Sequence, residues 1–210
     1  DKVHHIIFKN KSRTLKAKFP LLSQSTYTPA VIAIAAVIAF SFLSEIEALF
    51  IYSRDEINSG EVWRLITGHL FHTNFNHLLL NVVALLLLWS LHGKFYSTKS
   101  YLTLFFLSAL FISLAIYFFD PEMKQYVGLS GILHAVFVWG ALKDIKAKDK
   151  TGYLLLIGVL VKIVYEQSGG SSEFTANLIN APVAINAHLY GVVIGIIVFL
   201  FSNMPTKKPK

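Results

Sequence analysis

Residues 65–93 read LITGHLFHTNFNHLLLNVVALLLLWSLHG, and no Asp, Glu, Lys or Arg interrupts them. A membrane helix needs roughly 20 apolar residues, and this run is long enough to supply them. Residues 21–44, 100–119 and 125–142 are likewise uncharged. Residues 151–161 continue in apolar form beyond Lys162, and residues 174–206 form the last such run. Six spans are therefore expected, near residues 28–45, 74–93, 100–119, 128–143, 151–166 and 185–203. Lipid supplies no partners for open backbone groups, so all six should be helices. The expected fold class is all-α, a polytopic membrane bundle of six helices. It occupies residues 25–203, between a basic N-terminal segment at 1–24 and a basic tail at 204–210.

The composition agrees. The chain has 210 residues, of which 54% are hydrophobic and 15% charged. Soluble domains average about 45–50% apolar and about 25% charged. There is no cysteine, which excludes disulfide frameworks, thiolate zinc sites and cysteine nucleophiles. The first span is too long for a signal peptide and no small-residue cleavage site stands out after it, so it is read as a retained helix.

The net charge of +7 is a topology signal. Lys and Arg gather in the N-terminal segment (Lys2 to Lys18), at Lys94 and Lys99, from Lys143 to Lys150, and at Lys207 to Lys210. With six spans these stretches share one side. The other side has Arg54, Arg64 and Lys124 but holds most of the carboxylates. The positive-inside rule then puts both termini in the cytoplasm. The basic residues suit a lipid surface, and no basic patch interleaved with exposed aromatics points to nucleic acid.

Polar groups inside spans are costly, so each is a functional candidate. His77 and Asn81 fall on the second span, Ser130 on the fourth and His188 on the sixth, all near the same, outer face. Gly128-Leu129-Ser130-Gly131 sets a serine between glycines at a helix start, where unpaired N–H groups suit a developing anion. The bland reading is an N-cap serine. Ala187, Gly191 and Gly195 form a series of small residues that lets helices approach closely, and His188 shares that face. Here the bland reading is a core histidine. His77 and Asn81 are one turn apart and can both donate hydrogen bonds toward an oxyanion. A metal site at His69, His72 and His77 is the rival reading, weakened because no HExxH and no carboxylate joins the cluster.

Trp63-Arg64, His72, His77, Asn81, Gly128-Leu129-Ser130-Gly131 and Ala187-His188 with Gly191 and Gly195 together resemble the rhomboid intramembrane serine proteases, over residues 25–203. The resemblance implies Ser130 as nucleophile and His188 as general base, a dyad without an aspartate. It implies an oxyanion hole of His77, Asn81 and the Ser130 N–H. Trp63 and Arg64 would support the first outer loop, and His72 would be a buried structural histidine. Gly128, Gly131, Gly191 and Gly195 would serve close packing. His134 stands where many rhomboids carry an aromatic that stacks on the base. No metal and no cofactor is implied.

Residues 126–134, 162–167 and 187–191 are similar to the rhombosortases, small six-span rhomboids of Gram-negative bacteria. That resemblance implies a protein of the bacterial inner membrane with its site toward the periplasm. The implied partners are membrane lipid and the C-terminal tail of exported proteins, a Gly-Gly motif followed by a hydrophobic helix and a basic end. Cleavage would end in hydrolysis or in transfer to an amine or lipid acceptor. Lys162 and Glu166, one turn apart, are either an ion pair (or a snorkelling lysine) or, with Gln167, a substrate contact. Residues 168–172 are read as a flexible outer loop that extends through Asn177, Asn180 and Pro182. The alternatives are a general rhomboid protease and a non-catalytic helix-binding relative. A transporter is disfavoured because no internal repeat is found.

Overall fold

A computed structural model describes residues 26–170 and 173–202; the basic segment and the basic tail lie outside the described residues. In chain order the described residues form α1 (Thr28–Phe42), α2 (Arg54–Asn58), α3 (Arg64–Thr67), α4 (Phe75–His92), α5 (Thr98–Phe119), α6 (Ser130–Lys146), α7 (Thr151–Gln167), α8 (Glu173–Ile179) and α9 (Ile185–Ser202). Two short strands, β1 (Tyr52–Ser53) and β2 (Gln125–Tyr126), pair antiparallel. Each expected span thus corresponds to one long helix. Three of these, Phe75–Phe95, Thr98–Phe119 and Ile185–Ser202, are long and apolar enough to cross a membrane. The helices at the other three expected spans have 15, 17 and 17 residues. That is at or just below the lower limit of about 17 for a crossing.

The boundaries have local causes. α1 stops at Phe42, and a 3₁₀ turn over Ser44–Leu49 takes over where Glu45 and Glu47 arrive. α6 starts two residues later than expected because Gly128 has φ +112°, outside the helical region. Asn74 caps α4, accepting from the His77 N–H at 2.8 Å. Asn177, expected in a loop, lies on the short helix α8. Side chains before α4 hold that helix in place: Thr73 Oγ1 donates to Ile179 O at 2.6 Å and Asn74 Nδ2 to Leu178 O at 3.0 Å.

α6 is the central helix, with α4, α5, α7 and α9 packed around it, while α1 lies against α4 and α5. Ile132, Ala135, Val136 and Val138 of α6 are at most 1% exposed. The outer helices also present apolar side chains outward, such as Val31, Ile34, Leu154 and Val164, all more than half exposed. A bundle apolar on both its inner and outer faces suits a lipid surround.

Two arginines organise the loops. Arg64 is buried; it bonds Glu61 at 2.7 Å and donates to Ala48 O and Ile51 O at 2.7 and 2.9 Å, tying the turn after α1 to α3. Arg54 donates to Tyr117 O, Ile116 O and Asp120 O at 2.7–3.0 Å, capping the C-terminus of α5.

His69, in the loop before α4, is fully buried and its Nε2 donates to Ala109 O at 3.0 Å. Burial pushes it down from 6.5 to about 4. The folded chain keeps this ring neutral where an unfolded chain would take a proton. The stability it contributes is therefore full above pH ~6.5 and falls, by up to about 3 kcal/mol, as pH is lowered toward about 4. Melting temperatures of the solubilised chain across that window should decline with acid, and His69→Gln should make the decline shallower.

Candidate active site

The first turns of α4, α6 and α9 meet at one end of the bundle. Gly191 makes the meeting of α6 and α9 possible. A Cβ on Gly191 would lie 2.1 Å from the Gly131 carbonyl oxygen, and one on Gly195 2.5 Å from Ala135 O. The two backbones therefore touch, and nothing larger than hydrogen fits between them. Gly131 also packs tightly, with its would-be Cβ 3.0 Å from Ala187 O. This contact sets His188 of α9 against Ser130, the first residue of α6. Their Nε2 and Oγ atoms are 3.1 Å apart. Leu129 holds the N-cap position, so Ser130 is not the cap of its helix.

The His188 ring is held on two sides. His134 lies one turn along α6, and its Nδ1–H donates to Ser130 O at 2.7 Å. Its ring stacks on His188 with centroids 4.2 Å apart and planes 20° apart. On the other side, His188 Nδ1 lies 3.0–3.1 Å from both carboxylate oxygens of Glu166. The two-residue pair implied by the resemblance thus has a carboxylate beside it. Lys162 pairs with one of these oxygens, Glu166 Oε1, with its Nζ 3.5 Å from His188 Nδ1. Gln167 lies outside the groove, its amide donating to Ile185 O at 3.3 Å.

α4 supplies the opposite wall. A Cβ on Gly128 would sit 2.7 Å from His77 Nε2 and 3.6 Å from Asn81 Nδ2, so both side chains face the backbone just before Ser130. His77 Nδ1 faces the Thr73 backbone N–H, which donates to it at 3.5 Å, orienting the ring and leaving the ring proton on Nε2. Asn81 is 4% exposed and its Nδ2 has no hydrogen-bond partner among the described residues. A buried amide left open toward a groove is a donor in waiting. His72 is buried edge-on to His77, centroids 5.0 Å apart, and burial drives it down to about 3. Trp63 is half exposed and donates to Leu49 O at 3.0 Å, which links α3 to the turn after α1 and keeps it clear of the groove.

These groups line a groove of about 1250 Å³. Leu80 and Ala84 of α4, Tyr165 of α7, and Phe119, Asp120 and Pro182 also line it. His69, His72 and His77 do not converge as ligands; His69 points to α5 instead. His134, Glu166 and His188 do bring ligand atoms within 4.8 Å of one another. They fit a metal poorly. Ring lone pairs lie in the ring planes, so stacked rings direct them side by side instead of at one point.

The described residues thus form an apolar helical bundle that brings a serine and a histidine together in a groove. Residues 59–203 match the family model of the Rhomboid domain. The chain belongs to the rhomboid family, whose members are intramembrane serine proteases. Comparison with the curated proteins finds no match.

Glu166 beside His188 is the feature that reading along the chain did not place. The signal in the sequence was a carboxylate retained near the end of an otherwise apolar helix, which needs a partner. Lys162, one turn away, supplied an apparent answer.

Proposed function

We propose that this chain is an intramembrane serine endopeptidase that cleaves C-terminal tails of exported proteins at a Gly-Gly segment preceding a hydrophobic helix. The observation that carries the chemistry is the 3.1 Å approach of His188 Nε2 to Ser130 Oγ beside an open amide donor. His188 takes the hydroxyl proton as Ser130 Oγ attacks the scissile carbonyl. The developing oxyanion is received by His77 Nε2–H, Asn81 Nδ2–H and the Ser130 backbone N–H, where loss of one donor costs about 10²–10³ in rate. The tail amine leaves with the proton from His188. Water, or an amine acceptor, then attacks the Ser130 ester and frees the processed protein. A glycine segment suits this site because an extended backbone must enter it, and glycine unwinds from a helix at least cost after proline.

In this reading all six long helices cross the inner membrane, with both termini cytoplasmic and the groove toward the periplasm. The shorter α1, α6 and α7 cross a bilayer thinned around the protein.

The test is the intact mass of a Gly-Gly-tailed exported protein co-expressed with this chain, with Ser130→Ala as baseline. Truncation to a free carboxyl terminus is expected for hydrolysis. Truncation with a constant added mass identifies transfer and the acceptor. An untruncated substrate would overturn the tail specificity and leave the general rhomboid protease reading.

A further inference from the structure

We infer that Glu166 is a positioning residue for the base, so that this rhomboid works with a Ser130–His188–Glu166 relay in place of a two-residue pair. The inference rests on the proposed serine-protease reading and deepens it.

A base that accepts at Nε2 must hold its own proton on Nδ1. In the structure both Glu166 oxygens stand 3.0–3.1 Å from that nitrogen. The other polar atom nearby is Lys162 Nζ at 3.5 Å, an ammonium that has no lone pair to accept a proton. The Nδ1–H is therefore directed to Glu166, which fixes the tautomer with Nε2 free toward Ser130 Oγ. The two supports restrain different motions. His134 stacks on the ring face and resists tilting. Glu166 bonds the ring edge and resists rotation about the Cβ–Cγ bond. When Ser130 gives up its proton, the imidazolium that forms faces a carboxylate already in place.

Placement on α7 explains why Lys162 is there too. Glu166 is 7% exposed, and a lone buried carboxylate is strongly unfavourable. Lys162, four residues earlier on the same face, reaches it with a side chain 47% exposed, so its ammonium keeps access to the groove. Lys162 neutralises the carboxylate without taking the place of His188 at it. No atom is transferred to Glu166 in this scheme: it accepts from His188 Nδ1–H and from Lys162 throughout.

The experiment compares Glu166→Gln and Glu166→Asp with the parent chain in proteoliposomes. Cleavage of the Gly-Gly-tailed protein and labelling of Ser130 by a fluorophosphonate are followed together. Glutamine keeps the size but supplies an amide that can present N–H to Nδ1. Glu166→Gln is expected to lose about 10³–10⁴ in kcat with KM within twofold, and to slow labelling in proportion. Glu166→Asp is expected to recover most of that loss, ending about tenfold below the parent. A folded Glu166→Gln chain with kcat within threefold of the parent overturns the inference. If that variant does not fold, an Asp variant with the parent's kcat overturns it instead. Labelling needs no natural substrate. A parent chain that labels but leaves the tail uncut, while Glu166→Gln slows the labelling, supports the relay and refutes only the tail specificity.

Discussion

Ser130→Ala is expected to abolish tail cleavage, a loss on the order of 10⁴-fold or more in kcat, and adding His188→Ala to it should cost nothing further. The two side chains act on one proton across the 3.1 Å between Nε2 and Oγ. With the hydroxyl gone, the base has nothing to deprotonate, and with the base gone the hydroxyl is a poor nucleophile. Residues that act as a unit give grossly non-additive losses. Any remaining acceleration would come from His77, Asn81 and binding in the groove. Steady-state rates of the two single variants and the double variant decide the matter. Strictly multiplicative losses would mean that the serine and histidine serve separate steps. Both single variants should also fail to label with a fluorophosphonate; Ser130→Ala should keep the parent's melting temperature, whereas His188→Ala removes a buried ring that stacks on His134 and bonds Glu166 and should lower it.

Gly191→Val should also be damaging, though less so, for a steric and not a chemical reason. Its added Cβ would lie 2.1 Å from the Gly131 carbonyl oxygen, and neither backbone can yield without the helices parting. Ser130 is one residue from Gly131 and His188 one turn from Gly191, so a shift of an ångström there breaks the hydrogen bond between them. A geometric error of that size costs about 10²-fold in rate. Overpacking of this kind destabilises by about 1–3 kcal/mol, which for a chain of this length lowers Tm by about 2–12 °C. Gly158→Ala is the control. Gly158 has no atom within 4 Å of its would-be Cβ, so helix propensity improves and both activity and Tm should hold or rise slightly. Equal damage from both substitutions would mean that the loss at Gly191 is a property of glycine in a helix and not of this contact.

The long helices were legible because their signal is local. An apolar run of bilayer length is visible in the string: each of the six expected segments contains a helix, and three of those helices are long and apolar enough to cross. Their ends were less legible. α1 is shorter than its apolar run, and the loop between α1 and α4 contains structure that no periodicity announces. β1 pairs with β2 some seventy residues later, and Arg54 caps α5 with carbonyls 62–66 positions away. Short irregular pieces carry too few repeats to read, and their partners are set by how the helices pack.

The candidate site divides in the same way. The resemblance singled out His134, and its spacing, four residues after Ser130, put it one turn along the same face. The likeness to a known family brought Ser130, His188, His77 and Asn81 together before any coordinates did. Glu166 could not be so assigned. Its spacing from Lys162 was visible and gave an ion pair, which the structure contains. Its contact with His188 depends on how α7 is rotated and how closely it leans on α9, and those are properties of packing. The sequence by itself determined where the helices run and which polar groups they carry, because hydrophobicity and helical period act along the chain. The tertiary structure alone decided which of those groups meet, because the distance from a Glu166 oxygen to His188 Nδ1 depends on contacts made elsewhere in the bundle, above all the glycine-lined approach of α9 to α6.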